Sequence, residues 1–284
     1  MRLATIRTNN RTGGGTAAVR VEGDPQGGAA VELGPPDVGA LLARPSWRTE
    51  VADADGPRHD ADSLDYAPLV PRPEKIICVG LNYRTHILEM GRELPEQPTL
   101  FAKYPTALVG ARDDIALPAV SDAVDWEVEL TAVIGSRVRH ASMDEARAAI
   151  AGYTVCNDVS VRDWQYRTKQ WLQGKTFEAT TPLGPVLVTH DADASEVSYD
   201  VVCEVDGEVM QSANTKDLVF DPAALVAYAS TIATLTPGDV IATGTPGGVG
   251  HARDPRRYLK DGSVLVTRVE GIGECRNVCR KERL

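Results

Sequence analysis

Long apolar runs are missing from this 284-residue chain. No segment approaches the roughly 20 consecutive apolar residues that cross a bilayer as a helix. The N-terminal MRLATIRTNN has no apolar stretch of the kind a secretory signal carries, so cytoplasm is the expected location. Positive charge is also short: 30 Lys and Arg against 40 Asp and Glu give a net charge of −10. Nucleic acid and anionic membrane both need a basic surface, and neither is expected as a partner. A small anionic substrate needs only a local cationic site and stays open. Cysteine is sparse and odd in number, at Cys78, Cys156, Cys203, Cys275 and Cys279. These read as small buried residues of a reducing compartment, not as a disulfide framework. Cys275 and Cys279 stand four apart without a further Cys or His cluster, so a zinc site is not expected. There are no internal repeats and no low-complexity tract.

What is present divides at about residue 73. Residues 1–73 read as a small N-terminal β-containing domain and linker, and 74–284 as the main domain. MRLATIRT and TAAVRVEG alternate as a hairpin joined by NNRTGGG, and ALLA suggests a helical turn. The following stretch, ARPSWRTEVADADGPRHDADSL, is rich in Pro, Asp and Arg and reads as loop. From Lys75 the texture changes. KIICVGLNY is a short buried strand, and YRTHILEMG supplies one or two helical turns ended by Gly91. SMDEARAAIAGY is a helix with Ser142 as N-cap and Glu145 closing a capping box. DPAALVAYASTIATL is a second, with Asp221 as N-cap and Pro222 in the first position. GPVLVT, VSYDVVCEVDGEVMQ, DVIATGTP and DGSVLVTRVEGIGECRNVC are strands, with a tight turn at VDGEV. Many strands, few helices and no βαβ alternation predict an α+β, mostly β fold.

The chemistry starts from VDWEVELTAVIG, Val124 to Gly135. Residues two apart on a strand share a face, so Glu127 and Glu129 sit side by side, about 7 Å apart along the strand. A solvent-facing sheet edge would explain the pattern. A divalent cation would explain it too, because hard ions take carboxylate oxygens and turn the repulsion into attraction. The candidate third ligand is Asp158 in GYTVCNDVSVRDWQ, on the strand face of Thr154 and Cys156; a turn at Asn157-Asp158 is the alternative. Three carboxylates with no sulfur suit Mg²⁺ or Mn²⁺, with Ca²⁺ as a substitute, better than zinc.

In LNYRTHILEMG, His86 and Glu89 lie three apart on one helical face, where the carboxylate can orient the imidazole as a general base. A surface His beside a surface Glu is the plainer reading. In VRDWQYRTKQWLQGKTF, Arg162 and Lys175 can bind a substrate carboxylate or an oxyanion, with Asp163 and Gln165 holding them; Arg167 and Lys169 fit an exposed helix. ATGTPGGVG is neither a P-loop nor a dinucleotide fingerprint. It can present backbone N–H groups and the Thr245 hydroxyl to an anion, or be a plain turn. Tyr83, Arg162, Gln165 and Thr245 are the substrate-contact candidates.

In this order CVGLNYRTHILEMG, DWEVELTAVIG, GYTVCNDVSVRDWQ, GKTF…PLGP and LTPGDVIATGTPGGVG resemble the fumarylacetoacetate hydrolase family, from Lys75 to the C-terminus. The resemblance implies a mixed β-sandwich roll, usually dimeric. It implies metal ligation by Glu127, Glu129 and Asp158, a water-activating pair in His86 and Glu89, and functional roles for Lys175 and Thr245. It also implies a small 2-oxo acid substrate that passes through an enolate. Hydrolysis of an acylpyruvate C–C bond is the preferred expectation, because the His-Glu pair is present. Oxaloacetate decarboxylation and hydroxymuconate-type isomerisation use the same enolate, and a non-catalytic metal-dependent binding protein is the contrasting class.

Overall fold

Alternation at the N-terminus produces the expected hairpin. Arg2–Thr8 pairs antiparallel with Gly15–Glu22, from Arg2↔Val21 to Thr8↔Gly15. The computed structural model describes residues 1–8, 14–23, 28–190 and 197–283, so most of the NNRTGGG turn lies outside the described residues. The stretch that reads as loop before Leu64 holds more order than its composition suggests. Trp47–Asp53 is a helix that buries Trp47 and Val51, four residues apart on one face. Arg58–Asp60 is an edge strand on Ala29–Glu32. Backbone pairing and two anchoring side chains outweigh the polar composition there.

The N-terminal strands join a larger sheet, because Arg2 and Leu3 also pair with Val188 and Leu187 of the Thr181–Thr189 strand. The spatial order runs Arg58–Asp60, Ala29–Glu32, Gly15–Glu22, Arg2–Thr8, Thr181–Thr189, Ile150–Asn157, Val128–Ile134, Val240–Ala242, Ile76–Gly80, Thr99–Lys103. Leu108–Val109 adds an eleventh strand beside Thr181–Thr189. A second sheet of five strands runs Glu208–Asn214, Asp200–Val205, Val264–Val269, Gly273–Lys281, Ile115–Leu117. Its first hairpin turns at Asp206-Gly207, both at positive φ, as the Asp-Gly pair in VDGEV predicts. The fold is α+β and mostly strand. No described helix is long and apolar enough to cross a membrane.

The helices begin where their caps are written. The Ser142 side chain accepts from the Glu145 N–H in a complete capping box, and Asp221 accepts from the Ala224 N–H ahead of Pro222. The first of these helices ends at Ala149, and the chain passes straight into the Ile150–Asn157 strand.

Val128–Ile134 is buried along its whole length between Ile150–Asn157 and Val240–Ala242. Trp126, Val128, Leu130, Ala132 and Ile134 fill the main core. Glu127 and Glu129 therefore point away from that core but not into solvent: their exposures are 7% and 1%. The sheet-edge explanation of the acidic pair is excluded.

Candidate active site

Strand register brings the third carboxylate to the first two. Glu129 stands opposite Cys156, and Val128 opposite Asn157, so the Ile150–Asn157 strand ends beside Glu127. Asp158 follows immediately, and its N–H donates to the Glu127 carbonyl at 2.9 Å. It thus sits just beyond the strand instead of within it, and it is fully buried. One oxygen from each of Glu127, Glu129 and Asp158 lies within 4.8 Å of the others.

Each carboxylate has a cation or N–H on one oxygen. Lys103 Nζ donates to Asp158 Oδ1 at 2.7 Å and to the Val159 carbonyl at 3.1 Å. Arg162 Nη2 lies 2.7 Å from Glu127 Oε1, though its N–H is not aligned for a hydrogen bond. The Gly244 N–H donates to Glu129 Oε2 at 2.8 Å. Lys175 Nζ bridges Glu127 Oε2 at 2.8 Å and Asp158 Oδ2 at 2.7 Å. Glu129 Oε1 is buried with no hydrogen-bond partner.

That unpartnered oxygen, in an all-oxygen donor set, fits a hard divalent cation such as Mg²⁺ or Mn²⁺. The electrostatics agree. Burial, then the neighbouring Asp158 and Glu127, push the Glu129 carboxyl well above its ordinary pKa. Burial acts upward on Asp158 too, but Lys103 and Lys175 outweigh it and hold it below the usual range. Burial would discharge Lys175, yet Asp158 and Glu127 keep it raised and charged.

Arg162 is fixed from behind. Its Nε donates to Asp125 Oδ2 at 2.8 Å and its Nη1 to Gln165 Oε1 at 2.9 Å. Asp125 also accepts the N–H groups of Gly250 at 2.7 Å and His251 at 3.0 Å. The ATGTPGGVG loop thus spends two N–H groups, of Gly244 and Gly250, on the chain's own carboxylates Glu129 and Asp125. At Gly244 φ is +100°, and an added Cβ would stand 2.9 Å from that of Asn82, so glycine is required there. Thr245 Oγ1 accepts from Gln211 Nε2 at 2.8 Å.

A cavity of about 270 Å³ opens over this cluster, bordered by Glu127, Arg162, Gln165, Lys175, Thr245 and His86. Phe101 and Trp171 line its apolar side, 5.4 Å apart edge to face, and Lys175 Nζ lies 4.9 Å from the Phe101 ring centre. His86 stands on the Arg84–Glu89 helix and also borders a second, more open cavity of about 620 Å³ with Tyr83 and Glu89. Both His86 Nδ1 and Glu89 Oε2 lie against Gly247, within 4 Å of where a Cβ would stand. Among the described residues the two side chains share no hydrogen bond, so the carboxylate acts on the imidazole through charge. Burial lowers the His86 pKa, against Glu89 and Glu127, which raise it. Tyr83 is buried with its hydroxyl unpartnered, and burial with the nearby Glu129 raises its pKa.

Of the sequence candidates, Glu127, Arg162, Gln165, Lys175, Thr245 and His86 border one cavity, while Tyr83 and Glu89 border the second cavity that His86 shares. Asp163 does not hold Arg162 or Lys175 but accepts from Ser121 Oγ at 2.6 Å. Lys103 and Asp125 were not foreseen. Lys103 is an unremarkable lysine in FAKYP, and Asp125 is the acid next to the conspicuous pair.

Comparison with known proteins gives the same answer. The family model for the fumarylacetoacetate (FAA) hydrolase C-terminal region matches residues 75–280. The chain belongs to the fumarylacetoacetate hydrolase family. Within it, bovine (Bos taurus) "Oxaloacetate tautomerase FAHD2A, mitochondrial" is 48% identical over 206 residues, 72% of this chain and 66% of the relative. The human (Homo sapiens) protein of that name is 47% identical with the same coverage. The aligned part thus spans just under two thirds of these curated relatives. Among solved structures, a 5-carboxymethyl-2-hydroxymuconate delta-isomerase from Mycobacterium smegmatis superposes with TM-score 0.82 at 34% identity over 100% of both chains. A fumarylacetoacetate hydrolase from Exiguobacterium antarcticum gives 0.82 at 31% identity, over 99% of this chain and 100% of that one.

Proposed function

We propose that this family member is a divalent-cation-dependent enzyme that interconverts the keto and enol forms of a small 2-oxo acid. Oxaloacetate is the substrate, as the names of the bovine and human relatives suggest. One observation carries the reading: three buried carboxylates meet, and one of them, Glu127, borders a cavity together with Lys175 and His86. Glu127, Glu129 and Asp158 would hold the cation, Mg²⁺ or Mn²⁺. When bound, it supplies a Lewis acid for the charge that collects on the C2 oxygen during enolisation.

The chain's own groups do the rest. His86 is largely neutral at pH 7 because burial disfavours its charged form, so it can take a proton from C3. Glu89 and Glu127 favour the imidazolium that results. Lys175 stays cationic beside the reacting centre and offers charge-assisted hydrogen bonding to the developing oxyanion. Gln165, held by Arg162, and Thr245 line the same cavity and orient the substrate. Returning the proton to the C2 oxygen completes the tautomerisation: the C3–H bond breaks, an O–H bond forms, the double bond shifts from C2–O to C2–C3, and no carbon–carbon bond breaks. A homodimer is part of this proposal.

Hydrolysis of an acylpyruvate C–C bond is the second reading. The open cavity behind His86 favours it, because it brings water to the face of the imidazole that also meets Glu89 and Gly247. Decarboxylation of oxaloacetate would begin from the same site. The three reactions separate in one experiment with Mg²⁺. Enol-oxaloacetate is followed spectroscopically, and pyruvate release is measured from oxaloacetate and from acetylpyruvate. Faster loss of enol without pyruvate supports tautomerisation. Pyruvate from acetylpyruvate supports hydrolysis, and pyruvate from oxaloacetate supports decarboxylation.

A further inference from the structure

We propose that Arg92 selects 2-oxo acids that carry a second carboxylate, by pairing its guanidinium with that distal group. The inference rests on the proposed function only in placing the 2-oxo carboxylate end of the substrate at Glu127, Glu129 and Asp158.

Most of the cationic side chains around the cavity already have partners within the protein. Arg162 is committed to Asp125, Glu127 and Gln165. Lys175 spends two of its three N–H groups on Glu127 and Asp158, and the third is assigned to the oxyanion at the 2-oxo end. The ring of His251 is tied through Nδ1 to the Tyr258 hydroxyl at 2.8 Å, and partial burial, then Arg256 and Arg162, lower its pKa. Arg92 lines the same cavity, and among the described residues its guanidinium has no acidic or hydrogen-bonding partner.

Its position is set by the end of the Arg84–Glu89 helix. Gly91 turns the chain at φ +68°, and the Arg92 N–H donates to the Ile87 carbonyl at 3.2 Å. Arg92 and His86 line the same cavity. The wall of that space includes apolar Met90, Phe101 and Trp171. The cavity therefore offers a polar floor for the 2-oxo acid, an apolar wall for its carbon chain and an uncommitted cation. A carboxylate on the far end matches the guanidinium fork with two parallel hydrogen bonds. A neutral acyl end gives it no partner.

The test uses two ligands of equal carbon count that differ only at the far end, 2-oxoglutarate and 2-oxopentanoate. Both are titrated calorimetrically into the full chain with Mg²⁺ present. Wild type is expected to prefer the diacid by about tenfold, the scale of one charge-assisted contact. Arg92→Ala should bring the ratio to about one, and Arg92→Glu should invert it. Arg92 is exposed, and among the described residues its side chain has no hydrogen-bond or ion-pair partner, so these variants are expected to fold, which thermal unfolding checks. A preference that survives in both variants, or a wild type with no preference or no measurable binding of 2-oxoglutarate, overturns the assignment. Neither ligand has to be turned over. Failure to tautomerise oxaloacetate would therefore sink the proposed reaction while the binding ratio still decides the role of Arg92.

Discussion

Lys103 Nζ and Asp158 Oδ1 lie 2.7 Å apart with both side chains fully buried, across 55 residues of sequence. The Lys103 ammonium holds Oδ1 of Asp158, while Oδ2 accepts from Lys175 Nζ at 2.7 Å. Removing Lys103 takes away one of the two buried cations on Asp158 and leaves Lys175 alone against it. Lys103→Met is expected to destabilise the protein by about 3–5 kcal/mol and to weaken Mn²⁺ binding by roughly 10–100-fold. Urea unfolding in chelator and metal titration of the folded fraction measure the two effects separately. A loss of stability with metal affinity unchanged or tightened would show that Lys103 only balances charge.

Glu129→Gln tests the carboxylate whose Oε1 has no partner. A metal supplied at 100 times its dissociation constant should stabilise wild type by about 2.7 kcal/mol. The variant should lose that gain. In chelator it should be no less stable than wild type, because a buried charge facing Asp158 and Glu127 is gone. Thermal unfolding with Mg²⁺ and with chelator checks this, and an undiminished metal response would remove Glu129 from the site.

In the proposed mechanism His86 governs the acid side of the pH profile. Its pKa is lowered from the ordinary 6.5, chiefly by burial. Because the neutral imidazole is the base, activity should hold as pH falls toward 6.5 and decline only below it. His86→Ala should reduce kcat by about 10²–10⁴-fold, the usual contribution of a general base. An acid limb centred above pH 6.5, or a variant with near wild-type kcat, would assign proton transfer elsewhere.

Gly174 tests the packing that positions the cationic wall. A Cβ there would stand 2.4 Å from the Gln165 backbone nitrogen and 2.5 Å from its Cα. Gly174→Ala must therefore push apart the Arg162–Gln165 helix and the segment carrying Lys175. The expected cost is about 1–3 kcal/mol, with a larger fall in activity than in expression. Wild-type stability and turnover together would show that the two segments move independently of the site.

Local pattern made the outline of this site readable. The Glu127/Glu129 spacing, the Ser142–Glu145 box and the Asp221-Pro222 helix start are short-range signals, and each appears where its residues stand. Whether the acidic pair faced solvent or the protein interior depended on which strands flank Val128–Ile134, a long-range fact that alternation does not carry. Lys103 pairs with Asp158 through the far edge of the sheet, and Asp125 gathers donors from Arg162 and from Gly250 and His251 more than 120 residues on. Such partners are set by tertiary register. The same limit hid the Trp47–Asp53 helix, whose two buried anchors are outnumbered by polar neighbours.

The most direct test follows the ketonisation of enol-oxaloacetate by the full chain, first in chelator and then as Mg²⁺ or Mn²⁺ is added, with the bound metal counted in parallel. The account predicts a rate near the uncatalysed one in chelator. It also predicts recovery that tracks one cation per chain and no recovery in Glu129→Gln. Full catalysis in chelator, or metal-dependent catalysis that survives the loss of Glu129, would contradict it.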